Sequence, residues 1–316
     1  QFRGEVIQPI PDTIAVDWKK AELGRTLFFD KQLSGNGQLN CASCHGLDKG
    51  GVDNQTTATG INGQTGPINV PTVYNSVFNI GQFWNGRAKD LAEQAAGPVM
   101  NPLEMGSHDW AAVADRVRAE PGYSDQFTAV YGSDDVTKNT VTDAIAEYEK
   151  TLITPDSRFD LYLKGKADAI TAQEERGYER FKAIGCSGCH SGVAVGGDAY
   201  EIQGLEGPYF EDRHSKLTAA DDGRFSFTNN PSDRERFKVP NLRNVELTGP
   251  WFHDGSAKTL DAAVRAMARY ETPDHDITDQ DAADIVAFLK TLTGKYQGIP
   301  LKDVPADAPL RAAQVN

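Results

Sequence analysis

The sequence predicts a mostly α-helical chain folded as two similar domains with long loops, and three observations lead there. Apolar residues recur at helical spacing in several windows, while strand-like alternation is scarce. A segment from Val70 to Leu91 aligns without gaps on Val239 to Leu260, at an offset of 239 − 70 = 169 and with eight of 22 positions identical. The pattern Cys-x-x-Cys-His occurs twice, at Cys41-Ala42-Ser43-Cys44-His45 and at Cys186-Ser187-Gly188-Cys189-His190, and uses all four cysteines.

This pattern is the attachment site of a c-type haem: two thiols three positions apart each form a thioether to one porphyrin, and the histidine faces the iron. Three other readings compete. A four-cysteine zinc site does not ask for a histidine after each pair, and the pairs lie 186 − 41 = 145 residues apart, far beyond usual zinc spacings. A thioredoxin-like redox pair would accompany a βαβ pattern, and none is visible. Structural disulfides remain the alternative in an acidic chain of exported type. The haem reading makes Cys41, Cys44, Cys186 and Cys189 the attachment points of two covalently bound haem c groups, with His45 and His190 as iron ligands.

With 316 residues the chain is long enough for two domains, each built around its own cofactor. A formal charge of −13 argues against nucleic acid or an anionic membrane as partner. No run of about twenty apolar residues offers a membrane span. No basic region followed by an apolar stretch stands at the start, so the sequence reads as a mature product without its export signal. Because c-type haem is attached outside the cytoplasm, the expected location is periplasmic.

Along the chain, Asp17 caps a helix carrying Trp18, Ala21, Leu27 and Phe28 on one face. Gly46 to Pro71 is rich in Gly, Asn, Thr and Gln and reads as a long loop, a natural wall for the first haem. Helical spacing returns at Lys89 to Ala96, Trp110 to Ala119 and Val141 to Leu152. Thr154-Pro155-Asp156 breaks the chain, and Thr171 with Glu174 forms a capping box for the helix leading to Cys186. Gly204 to Phe237 is polar and reads as an insertion. Helices follow at Leu260 to Arg269 and, capped by Thr278 with Asp281, through Leu292. The tail carries Pro300, Pro305 and Pro309 and is expected to be an extended surface arm. The domains are then 17–160, 161–298 and an arm over 299–316.

The repeat tells the two haem sites apart. Its offset exceeds that of the cysteines by 169 − 145 = 24 residues, which is the insertion. In the second copy Met267 lies where a thioether can serve as sixth iron ligand, raising the potential and closing the iron. The same offset maps Met267 onto Pro98, and proline cannot ligate iron. Met100 and Met105 lie nearby in the first copy. His108, His214, His253 and His275 are expected to be surface or structural.

The segments LGRTLFFDKQLS, CASCH, GPINVPTVYNSVFNIGQFWNGRAKDLAEQAAGPV, NPLEMG, CSGCH and GPWFHDGSAKTL with AVRAM resemble the bacterial dihaem cytochrome c peroxidases from Leu23 to Leu292. The resemblance implies two cytochrome c-like haem domains, bound calcium, a homodimer, and reduction of hydrogen peroxide with electrons from a small cytochrome c or cupredoxin. Carried over by residue, it implies that Glu104 and Gln94 line the peroxide pocket, that Trp84 bridges the haems, and that Asn69, Thr248 and Pro250 hold calcium. It also implies that the haem of His190 and Met267 takes in electrons. One departure stands out. Many members carry a histidine in the loop after the first haem motif that ligates the resting iron, and here Ile61 takes its place in Thr59-Gly60-Ile61. The first haem is therefore expected to need no reductive activation. Two alternatives remain: a dihaem electron carrier without catalysis, and a dihaem oxidase of a protein or organic substrate.

Overall fold

Capped helices dominate the chain, and the computed structural model describes residues 4–311. The Asp17 carboxylate accepts a hydrogen bond from Lys20 N at 3.1 Å and opens α1 (Trp18–Phe28). In order follow α2 (Cys41–Cys44), α3 (Leu91–Met100), α4 (Trp110–Ala119), α5 (Tyr123–Tyr131), α6 (Lys138–Lys150), α7 (Arg158–Leu163) and α8 (Ala172–Ala183). After the second haem motif come α9 (Tyr209–Asp212), α10 (Phe225–Thr228), α11 (Leu260–Glu271) and α12 (Asp279–Lys290). The capping boxes at Thr171 with Glu174 and at Thr278 with Asp281 are both present. Helices α5 and α7 go beyond the sequence reading, since each is too short to display an apolar period of its own.

Strands are few among the described residues. β1 (Tyr200–Ile202) pairs antiparallel with β2 (Arg236–Lys238), closing the base of the 204–237 insertion, and β3 (Lys295–Tyr296) pairs with β4 (Ile299–Pro300).

Two apolar cores result. Leu27, Phe28, Val99, Val141, Ile145 and Tyr148 fill the first, from α1, α3 and α6. Phe159, Tyr178, Phe181, Val264, Ile285 and Phe288 fill the second, from α7, α8, α11 and α12. Helix α7, which the expected boundary at 160/161 divides, packs entirely in the second. The same close crossing builds both. A Cβ on Gly24 would lie 1.8 Å from the Ala144 carbonyl oxygen, and one on Gly177 would lie 1.9 Å from that of Asp284. Only glycine lets α1 and α8 approach their partner helices so closely.

Backbone geometry repeats along with the sequence. Positive φ angles occur at matched positions: Asn75 and Asn244 (60° and 62°), Phe83 and Phe252 (67° and 71°), Gly86 and Gly255 (69° and 60°). Two reciprocal hydrogen bonds clasp the halves, Asn69 N donating to His253 O and Lys238 N to Trp84 O, each at 2.8 Å. Asn69 corresponds to Lys238 and Trp84 to His253, so the pair describes a local pseudo-twofold axis. Asn75 and Asn244 also converge, their side-chain amides donating to Thr154 Oγ1 at 2.8 and 3.0 Å.

Towards each end, the described residues cross to the opposite half. Ile7 is fully buried in the second core, and Arg243, itself fully buried, pairs with Asp160 at 2.7 Å while donating to Gln8 O at 2.7 Å. Over its described residues, 299–311, the tail corrects the expectation of a surface arm: Leu301, Val304 and Ala308 are buried against the first core, and the remainder of the expected arm, 312–316, lies outside the described residues. A single 3₁₀ turn (Leu301–Asp303) is the helical part of this segment, and its apolar residues seat one by one without a period that the sequence would reveal. Leu301→Ala should cost about 2–5 kcal/mol, read as a lower urea midpoint for the haem-loaded protein; a change below about 0.5 kcal/mol, usual for a surface site, would return the tail to solvent.

Candidate active site

Where the halves meet, one continuous cavity is lined by residues of both, among them Cys41, Cys44, His45, Cys186, His190 and Met267. The cysteines form no disulfide. Among the described residues no cluster of three or more Cys, His, Asp or Glu is arranged to hold a metal ion, which removes the four-cysteine zinc alternative. Each histidine closes a short turn that begins at its first cysteine, His45 N donating to Cys41 O and His190 N to Cys186 O at 2.9 Å. His45 Nδ1 donates to Gly51 O at 3.1 Å and His190 Nδ1 to Val195 O at 3.2 Å. A carbonyl can only accept, so these bonds fix the tautomer and leave each Nε2 lone pair free for iron. Burial lowers both imidazoles, His190 to about 4, and keeps them in the neutral form a metal requires. Tethering thiols, oriented neutral histidines and a largely apolar cavity fit two c-type haems.

In the first half, Gln94 and Pro98 of α3 line this cavity together with Arg87, Glu104 and Met105. Burial raises the Glu104 carboxyl above its usual range, opposed by Arg87 and by the hydrogen bond from Asn101 Nδ2 to Oε1 at 2.7 Å. The loop carrying Glu104 leans on the segment after the first haem motif. Ile61 N donates to Glu104 O at 2.7 Å, and a Cβ on Gly60 would lie 1.8 Å from Leu103 O. The Ile61 side chain is buried against Gly106. Among the described residues, His45 and His190 are the only histidines in the lining.

The second half places Met267, from α11, in the lining with His190. Met267 and Pro98, matched by the repeat, thus both face the cavity. Trp84 lies in the seam between halves, its Nε1 donating to Asn69 O at 2.8 Å. Asn69, Thr248 and Pro250 each line the same cavity.

Three further groups are buried here, and two of them, Lys238 and Glu149, escaped the sequence reading. His253 is 1% exposed and donates through Nε2 to Asp221 Oδ1 at 2.7 Å, a structural role consistent with the expectation for it. Lys238 is 7% exposed and lines the cavity, and the repeat could have exposed it as the charged counterpart of Asn69. Glu149, on α6, is buried with Oε2 unpartnered and also lines the cavity. Matching Gly24 and Ala144 to Gly177 and Asp284 sets Glu149 opposite Leu289. Burial pushes the Glu149 carboxyl up to about 8. The unfolded chain gives up this proton near the ordinary carboxylate range while the folded one retains it, so the contribution is present at low pH and lost as pH rises towards 8. From pH 5 to 8 the wild type should lose at least about 1 kcal/mol of stability that Glu149→Gln retains; parallel denaturation profiles would contradict this.

Comparison with known proteins agrees with this geometry. Residues 18–168 match the family described as di-haem cytochrome c peroxidase, and residues 174–293 match cytochrome c. The chain is 49% identical over 303 residues to the cytochrome c551 peroxidase of Nitrosomonas europaea, covering 95% of this chain and 88% of the relative. It is 46% identical over 296 residues to the cytochrome c peroxidase Ccp of Escherichia coli, covering 94% of this chain but 63% of that longer protein. Among solved structures, a MauG-like protein associated with microbial copper homeostasis superposes with a TM-score of 0.81 at 30% identity, covering 96% of both chains. The two haem attachment sites, the internal pseudo-symmetry and nearly full-length similarity at this level together make the chain a member of the dihaem cytochrome c peroxidase family, carrying two haem c groups.

Proposed function

We propose that this protein reduces hydrogen peroxide to water in the periplasm, with electrons delivered one at a time by a small cytochrome c or cupredoxin. The supporting observation is the inequality of the residues that line the cavity: Met267 lines it from the half of His190, whereas the position that the repeat matches to it in the half of His45 is Pro98, with Glu104 and Gln94 on the same lining. The peroxidase names of the relatives support the same reading.

The haem held by His45 supplies the redox centre at which the O–O bond is cleaved. Glu104 moves the proton: its carboxylate takes one from the first peroxide oxygen and returns it to the second, so that water leaves. Burial favours this exchange by bringing the carboxyl nearer neutrality, and Asn101 fixes which oxygen is free. The Gln94 amide holds peroxide in line. Two electrons and two protons per peroxide complete the reduction to two waters. Trp84, clamped by Asn69 O, is the proposed electron bridge. Asn69, Thr248 and Pro250 offer amide and carbonyl oxygens suited to calcium at this seam, and two copies of the chain form the proposed dimer.

Ile61 bears on activation. With its side chain packed on Gly106 and, among the described residues, no histidine besides His45 and His190 in the lining, the first site is read as open before any reduction. Fully oxidised protein mixed with peroxide should therefore turn over without a lag, at the rate of half-reduced protein; a lag abolished only by prior reduction would overturn this. Glu104→Gln should lower peroxide turnover about 10²–10⁴-fold with both haems still attached, and a loss under tenfold would remove Glu104 from proton transfer. Met267→Ala should lower the potential of the second haem and slow donor-dependent turnover, whereas unchanged redox behaviour would contradict its ligation.

A further inference from the structure

Lys238 ends β2 at the seam between the halves, 7% exposed and lining the shared cavity. Its backbone N–H donates to Trp84 O across the clasp. No carboxylate or other acceptor among the described residues is in contact with its ammonium group, and burial alone lowers it to about 8. A lysine buried without a counter-charge costs several kcal/mol per ion, and such groups are almost never found unless paired. The missing partner must therefore belong to what fills the cavity. Each haem carries two propionate carboxylates, and nothing else known to enter this cavity is a permanent anion.

Position indicates which haem. Lys238 stands two residues before Pro240, which lines the cavity and lies against Gly196 together with His190 Nδ1, and Asn69 stands two residues before Pro71, which lines the cavity in the half of His45. The repeat therefore gives the second half a fixed cation where the first half has a neutral amide. We propose that Lys238 is a positioning residue whose ammonium pairs with a propionate of the second haem, the one held by His190, and so sets that haem's potential above what its axial ligands alone would give. An ionised carboxylate beside iron stabilises the oxidised form, and a buried ammonium cancels that charge where screening is weak. The inference requires two bound haems and is independent of the peroxidase reading.

The test is a redox titration of the haem-loaded protein, following both haems by absorbance, with no peroxide or donor present. Lys238→Met should shift the reduction equilibrium of the second haem at least tenfold towards the ferric form, about 59 mV for one electron, and leave the first haem in place. Lys238→Arg, which keeps the charge, should restore at least half of the shift. A Lys238→Met protein with wild-type potentials, a shift confined to the first haem, or an equal shift in Lys238→Arg would each overturn the pairing. Should Lys238→Met fail to load haem, Lys238→Gln and Lys238→Arg are compared by the same criterion. Exchanging buffer anions should leave the wild-type potential unchanged; a potential that follows the anion would assign Lys238 to a diffusible ligand and overturn the proposal. Loss of peroxide turnover with an intact Lys238 effect on potential would count against the peroxidase reading alone.

Discussion

Two backbone hydrogen bonds, from Asn69 N to His253 O and from Lys238 N to Trp84 O, are the constraint on which the rest of the molecule depends. They are equivalent under the internal repeat, and they hold the halves face to face so that their haem cavities merge into one. Side chains at this seam are therefore buried by both domains at once. The positive φ angles at Asn75, Phe83 and Gly86 recur at Asn244, Phe252 and Gly255, so the backbone turns at matched positions in both halves. Thr154, in the linker, receives both asparagine amides and ties the covalent connection to the clasp.

On this nearly symmetric frame, function would come from the positions where symmetry is broken. Met267 faces Pro98 across the repeat, His253 faces Trp84, Lys238 faces Asn69, and Leu289 faces Glu149. Each exchange changes chemistry while preserving the backbone: a soft ligand against a non-ligand, an imidazole paired to Asp221 against an indole, a cation against an amide, an aliphatic side chain against an acid. A gene-level repeat thus needs few substitutions to give two haems different tasks. The glycine crossings at Gly24 and Gly177 tolerate this divergence because they fix helix distance without using side chains.

Much of this was legible in the sequence. The haem motifs, the 169-residue offset and the capping residues Asp17, Thr171 and Thr278 each carry local chemistry that needs no distant partner to be recognised. Other features were not legible, for definite physical reasons. Ile7 and Leu301 sit in segments without period, and their burial depends on the far half of the chain. Glu149 occupies a helix position that looks like any solvated carboxylate until α6 is seen to face the cavity. Lys238 lies in a charged insertion edge, where Arg234, Glu235 and Arg236 disguise one buried cation among neighbours that are exposed or half-buried. His253 reads as an ordinary polar residue until Asp221, 32 positions earlier, closes upon its ring.

In the proposed function one iron is closed by protein and the other is open. Titrating the fully oxidised protein with cyanide, and following both haems by electron paramagnetic resonance, addresses this directly, because a strong-field ligand binds wherever a coordination position is free. One equivalent per chain is expected, changing the spectrum of the haem held by His45 and leaving that of the haem held by His190 unaltered. Binding of no cyanide, or of two equivalents, would contradict the asymmetry and with it the division of labour between the halves.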